Sequence, residues 1–180
     1  DVGTRPYRHL GHHKTDRRCP QPGDDQVLIR VRAAGVAFPE VLQSRGLYQL
    51  KPDLPFTPGA EISGEIISAP EGSGLAPGDR VAALCLLGGF AEEAVAPLDT
   101  TFKLPDSISF EQGASIVFNY GTAYFALVER GRLKDGESVL VQGAAGGVGT
   151  AAIQVAKAFG AGRVIAVTST PEKGAVALEA

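Results

Sequence analysis

The sequence predicts two architectures in succession, a small all-β, barrel-like unit and then the opening of a parallel α/β sheet. Three observations carry this reading. Between residues 20 and 105, short strand-like runs alternate with Gly- and Pro-rich turns. From Ser138 an apolar strand runs into a glycine-rich turn and then a helical stripe. A second strand, Val164 to Val167, follows at the spacing of a βαβ unit. The apolar share of 44% supports a packed core over 180 residues. A net charge of −3 gives no basic field for nucleic acid. No apolar run reaches the ~18 residues of a membrane span, and no secretory signal is visible behind Asp1. The expected location is cytoplasmic. Two cysteines, Cys19 and Cys85, make no disulfide framework.

In chain order, residues 1–19 read as a poorly ordered arm, because nothing apolar in them repeats at a helix or strand period. They hold His9, His12 and His13 with Cys19 nearby, so a metal site is the competing reading. Pro20-Gln21-Pro22-Gly23 is a turn cluster, and Val27, Ile29 and Val31 alternate as on a strand. Pro39 fits the first turn of a short helix ending near Gly46. Residues 52–59, with three prolines, form a loop. Strands follow at Glu61 to Ser68, Arg80 to Cys85, Phe90 to Val95 and Phe102 to Leu104. Helices are expected from Ser109 to Val117 and from Thr122 to Arg132, with a domain boundary within 105–120. The divisions expected are an arm over 1–19, a β domain over 20–115 and a nucleotide domain over 116–180.

The stretch Ser138 to Gly149 carries the chemistry. Val139-Leu140-Val141 ends at Gly143, and glycines at 143, 146 and 149 follow at three-residue spacing. Ala151, Ala152, Val155, Ala156 and Phe159 then form the stripe of a helix over Thr150 to Phe159. Such glycines let the backbone turn tightly and approach a pyrophosphate, which rests on the amide groups at the helix start. The candidate cofactor contacts are therefore Gly143, Ala144, Ala145, Gly146, Gly147, Val148 and Gly149. A glycine-rich βα turn without a ligand is the plainer alternative.

Taken together, several motifs resemble one family. They are V-R-A-A-G-V-A-F-P-E-V-L (31–42), R-G-L-Y (45–48), L-P-F-T-P-G-A-E (54–61) and P-G-D-R-V (77–81). They continue with G-G-F-A-E-E (88–93), Y-G-T-A-Y (120–124) and V-Q-G-A-A-G-G-V-G (141–149). From Pro20 to Lys173 the chain resembles the zinc-independent, NADPH-dependent quinone oxidoreductases of the medium-chain dehydrogenase/reductase superfamily. The resemblance implies a GroES-like β-barrel domain followed by the first part of a Rossmann domain. It implies hydride transfer from NADPH to a quinone or conjugated carbonyl such as an enone. Zinc alcohol dehydrogenases have Cys at the position of Ala37, His at Ala60, and a third ligand near Ala114. Alanine cannot ligate zinc, so no catalytic metal is expected. A metal-free route relies on near-attack geometry and on hydrogen bonds to the developing oxygen charge.

The resemblance also supplies acceptor-side candidates. Tyr48 matches a tyrosine lining the nicotinamide and substrate cleft; a partly buried core or rim tyrosine is the alternative. Thr122 matches a position beside the nicotinamide, and a helix N-cap role is compatible with that. Arg45 is either a phosphate or substrate contact or an exposed helix-end residue. Relatives commonly carry Asn where this chain has Ala37. Losing such a hydrogen bond costs about 1–3 kcal/mol where its partner stays buried and unsatisfied.

Cofactor choice is read at the end of the second α/β strand. No carboxylate sits there for a ribose 2′-hydroxyl; Thr168, Ser169 and Lys173 offer hydroxyls and a cation to a 2′-phosphate instead. The plainer reading is a Ser/Thr turn with Pro171 in the first turn of the next helix and Lys173 solvated. A doubly wound sheet normally has six strands, and only two fall within the 180 residues. The nucleotide domain is therefore expected to be incomplete at its C-terminal side. The strand through which relatives form homodimers is expected to be missing. Two functional classes follow: an NADPH-dependent oxidoreductase, or a non-catalytic remnant that binds nucleotide or a partner.

Overall fold

A computed structural model describes residues 20–180, so the 1–19 arm and its His/Cys metal reading lie outside the described residues. The chain divides into two compact units, Asp1–Ser115 and Ile116–Ala180.

In the first unit, five antiparallel strands form one sheet in the order β4-β1-β2-β3-β5. They are β1 (Gln26–Ala34), β2 (Glu61–Ser68), β3 (Arg80–Leu84), β4 (Glu93–Pro97) and β5 (Thr101–Lys103). Period-two alternation points Val27, Ile29, Ile62, Ile66, Val81, Ala83, Ala94 and Ala96 into one core. Among the described residues of this unit lie two short α-helices, α1 (Phe38–Ser44) and α2 (Phe110–Gly113). The N-terminus of α2 is a capping box. Ser109 Oγ accepts from Gln112 N–H at 3.2 Å, and Gln112 Oε1 accepts from Ser109 N–H at 2.9 Å. Gly113 packs so closely on the sheet that an added Cβ would lie 2.8 Å from Leu104. Ser63 Oγ–H, fully buried in β2, donates to the Phe110 carbonyl and ties α2 to the sheet.

Three expectations for this unit need correction. β1 runs on to Ala34, because a register shift between Val31 and Ala33 lets pairing with β2 continue past Arg32. β4 starts at Glu93 rather than Phe90. The amides before it are used elsewhere: Gly88 donates to Thr57 O at 2.8 Å and Phe90 to Pro58 O at 2.9 Å. α2 ends at Gly113 rather than Val117.

In the second unit, helical turns run without a break from Ile116 to Arg130, with α3 (Gly121–Tyr124) between π-helical segments at Ile116–Tyr120 and Phe125–Arg130. The break expected between Val117 and Thr122 is not there: Tyr120 keeps helical angles (φ −73, ψ −37), and Gly121 after it weakens the helix without ending it. Next come β6 (Ser138–Gln142), α4 (Gly147–Ala158), β7 (Arg163–Val167) and α5 (Pro171–Glu179). β6 and β7 pair in parallel from Ser138↔Arg163 to Gln142↔Val167. α4 buries two faces. Ile153 and Ala156 pack with Val139 and Val141 of β6, while Ala151 and Val155 pack with Ala123 of α3. Tyr120 O–H donates to Gln154 Oε1 at 2.8 Å and fixes this second contact. No helix among the described residues is long and apolar enough to cross a membrane.

Candidate functional site

The glycine-rich turn sits between β6 and α4, as its spacing requires. Helix α4 begins at Gly147, with Gly146 as N-cap, three residues before the predicted Thr150. Gly147, Val148 and Gly149 therefore form its first turn, where N–H groups have no intrahelical acceptor. Gly143 has φ +64, the left-handed region that favours glycine. Gly149 makes the turn close: a Cβ there would lie 2.4 Å from Gly143 O and 2.8 Å from Ala144 Cα. At Gly143 an added Cβ would meet nothing within 4 Å. At Gly146 it would meet only Gly143 O, at 3.4 Å. The turn is thus tight on its inner side and open on its outer side. That combination lets a pyrophosphate approach the backbone. Ala144, fully buried, donates its N–H to Val167 O at 3.2 Å, which pins the turn to the end of β7. Ala145 is half-buried and Val148 exposed.

At the end of β7 the three remaining cofactor candidates come together. Lys173 Nζ donates to Ser169 Oγ at 3.2 Å, and Thr168 Oγ1–H donates to Thr170 O at 3.3 Å. Thr170 is the N-cap of α5 and accepts from Lys173 N–H at 3.4 Å. The Ser/Thr-turn reading and the phosphate reading thus describe the same geometry. An exposed ammonium sits beside a hydroxyl at a strand end, with no carboxylate among residues 167–171.

Thr122 is not a helix N-cap. It lies inside the continuous helical run, exposed, and its Oγ1–H donates to Phe118 O at 2.6 Å. The hydroxyl proton is therefore spent on the backbone, and the oxygen remains an acceptor. Gly121 beside it faces open space.

Tyr48 lies in the first unit, half-buried, just beyond α1. That helix closes with a Schellman pair: Leu47 N–H donates to Leu42 O and Gly46 N–H to Gln43 O, each at 2.9 Å, with Gly46 at φ +68. Arg45 is the exposed C-cap. The three alanines at the zinc-ligand positions are joined through their neighbours. Glu40 Oε2 accepts from Ala37 N–H at 2.9 Å and Glu40 Oε1 from Ala60 N–H at 3.0 Å. Gly35 donates to Glu61 O at 2.9 Å and lies against Ala114 O, which an added Cβ would approach to 2.3 Å. Among the described residues no group of three His, Cys, Asp or Glu is placed to hold a metal ion.

Sequence reasoning passed over Glu40 and Asn119. Pro39 was the helix-start signal, and Glu40 beside it is the acid of that first turn. The contact from Glu40 to Ala60 is tertiary and has no local signature. Asn119 fills the space beside Gly147, where a Cβ would lie 3.1 Å from its carboxamide.

Cys85 shares the Glu40 corner. Its thiol donates to the carbonyls of Gly59 and Ala60 at 3.4 Å. Burial, with the carboxylates of Glu40 and Glu61 adding to it, pushes the thiol up to about 11. The neutral thiol is the favoured folded form. Its stabilising contribution is complete below the ordinary value of 9.0 and is lost as pH rises toward 11. In a Cys19→Ser variant, alkylation of Cys85 by iodoacetamide is expected to be slow at pH 8. It should be at least about tenfold slower than in the urea-unfolded chain. Equal rates would contradict the burial.

Comparison with known proteins places this geometry. Residues 23–106 match the alcohol dehydrogenase GroES-like domain. The human quinone oxidoreductase is 43% identical over 168 residues, which span 92% of this chain and 51% of that protein. A probable oxidoreductase from Mycobacterium abscessus superposes with a TM-score of 0.81 at 45% identity, over 90% of this chain and 53% of its own. The quinone oxidoreductase of Thermus thermophilus, whose complex with NADPH is also solved, superposes at 0.78 and 38% identity, over 92% and 52%. The chain thus spans about half the length of the relatives it matches.

Proposed function

The chain belongs to the zinc-independent quinone oxidoreductase family of the medium-chain dehydrogenase/reductase superfamily, and from that premise we propose that it binds NADPH and serves its oxidation by a quinone or enone. The carrying observation is the turn at Gly143–Gly149, closed on its inner side by the Gly149 contact and open outside at Gly143 and Gly146. When bound, the cofactor supplies the hydride. The chain's own residues bind and orient it. The first-turn amides of Gly147, Val148 and Gly149 hold the pyrophosphate at the positive end of α4. Lys173, with the Ser169 hydroxyl, holds the 2′-phosphate, and the Thr168 hydroxyl joins them by turning from the Thr170 carbonyl. The Thr122 oxygen, its own proton directed to Phe118, accepts a hydrogen bond from the nicotinamide carboxamide. Tyr48 donates its hydroxyl proton to the acceptor oxygen, where charge develops.

Two experiments test this reading. NADPH is mixed with the protein and menadione, with EDTA present. Loss of reduced-nicotinamide absorbance is the expected result. Tight NADPH binding without turnover would instead favour a nucleotide-binding, non-catalytic role for these residues. In the second, Lys173→Glu is expected to weaken NADPH binding about tenfold or more while leaving NADH nearly unchanged, because the ammonium meets only the 2′-phosphate. Equal losses for both dinucleotides would count against the assignment.

A further inference from the structure

We propose that Glu40 is a positioning residue for the electron acceptor, a carboxylate clamp that fixes Ala37 and Tyr48 relative to the Gly59–Ala60 corner. Glu40 is 6% exposed, and none of the ion pairs among the described residues includes it. A buried carboxylate without a cation is costly unless both oxygens find donors. Here they do, and the donors come from separate segments. Oε2 takes the Ala37 N–H at the start of its own helix, and Oε1 takes the Ala60 N–H twenty residues away.

A helix cap alone needs one oxygen at the surface. The second bond and the burial point to a different task. Ala60 is held from its other side as well, since its carbonyl accepts from Cys85 N–H at 2.8 Å and Leu86 N–H at 3.1 Å. Gly59, at φ +104, lies so close to Phe90 that a Cβ would come within 2.6 Å of its nitrogen. The corner is therefore rigid, and Glu40 transmits that rigidity to α1. The Schellman closure at Gly46 and Leu47 then sets the direction in which the chain leaves toward Tyr48. Ala37 offers no side-chain polar group, so placement of the backbone around it carries more of the acceptor geometry. The inference rests on the acceptor reading of Tyr48 given above.

The test uses the isotope-labelled 180-residue chain, with amide exchange and resonance shifts read during separate titrations with menadione and NADPH. Glu40→Gln keeps the shape but turns an amide NH₂ toward one of the two N–H donors. Amide exchange at Ala37 or Ala60 should accelerate, while protection at Ile29 and Gly64 in the β1–β2 ladder persists. Menadione affinity should fall about tenfold, the size of one lost charge-assisted hydrogen bond, with NADPH affinity unchanged. If Glu40→Gln loses β1–β2 protection altogether, Glu40→Asp is read instead. It keeps the charge but is one methylene too short to reach both donors, and it should show the same split between the two ligands. Menadione affinity within about twofold of the parent in a folded variant would overturn the clamp alone. Absence of any menadione-dependent shift at Tyr48 in the parent protein would overturn the acceptor reading, and the clamp with it.

Discussion

Gly149→Val is expected to reduce NADPH affinity about 100-fold or more, which corresponds to roughly 2.7 kcal/mol or more. A Cβ at this position would meet Gly143 O at 2.4 Å and Ala144 backbone atoms at 2.8 Å. These are main-chain atoms held from two sides, Ala144 by its bond to Val167 O and Gly143 by the Gly146 N–H at 3.0 Å. Neither can yield unless the turn opens or α4 moves away from β6. Either change displaces the first-turn amides, and overpacking of this kind alone costs about 1–3 kcal/mol. Calorimetric titration with NADPH checks the affinity, and unchanged affinity would show that the turn does not hold the cofactor. Gly143→Ala is the informative companion. Space is open at that position, but φ +64 is unfavourable for alanine, so its effect should be smaller.

Gly64→Val should destabilise the first unit by about 3 kcal/mol or more. Gly64 pairs with Val31 in the β1–β2 ladder, beside the register shift that carries β1 on to Ala34. There the Arg30 carbonyl lies so near that an added Cβ would sit 2.1 Å from its oxygen, with Ile29 Cγ2 at 2.9 Å. Ile29 is fully buried and cannot swing away. The strands must separate at their centre, where β2 also pairs with β3 through Gly64↔Val81. Urea unfolding followed by circular dichroism measures the loss. In a domain of this size the melting temperature should fall by about 4–8 °C for each kcal/mol. A variant as stable as the parent would contradict the packing described for this ladder.

The parts of the molecule readable from sequence were those with local causes. Gly/Pro turns bounded the strands of the first unit, and Val27, Ile29 and Val31 fell on the core-facing side that alternation assigns them, Val31 only partly buried. The strand–glycine–helix signal located the turn, but α4 starts at Gly147, because the Thr150 N–H donates to Gly146 O at 2.8 Å and takes residues 147–149 into the first helical turn. Other features had non-local causes. The start of β4 moved because Gly88, Gly89 and Phe90 pair back to residues 57–59. A break was expected between Val117 and Thr122, yet packing of Ala123 against Ala151 and Val155 carries the helix through Gly121. In the site, the proximity of Lys173 to Ser169 followed from their spacing at a helix start. The clamp at Glu40 did not, because its second partner lies on another segment.

In the function proposed above, the turn at Gly143–Gly149 receives the pyrophosphate of NADPH while the β7–α5 junction receives its 2′-phosphate. Titrating the isotope-labelled protein with NADPH, and following the backbone amides individually, tests this most directly. Saturable shifts are predicted at Gly147, Val148 and Gly149 and at Ser169 and Lys173, with the second group absent when NADH is used. Unperturbed amides across the first turn of α4 at saturating NADPH would show that the pyrophosphate does not rest there.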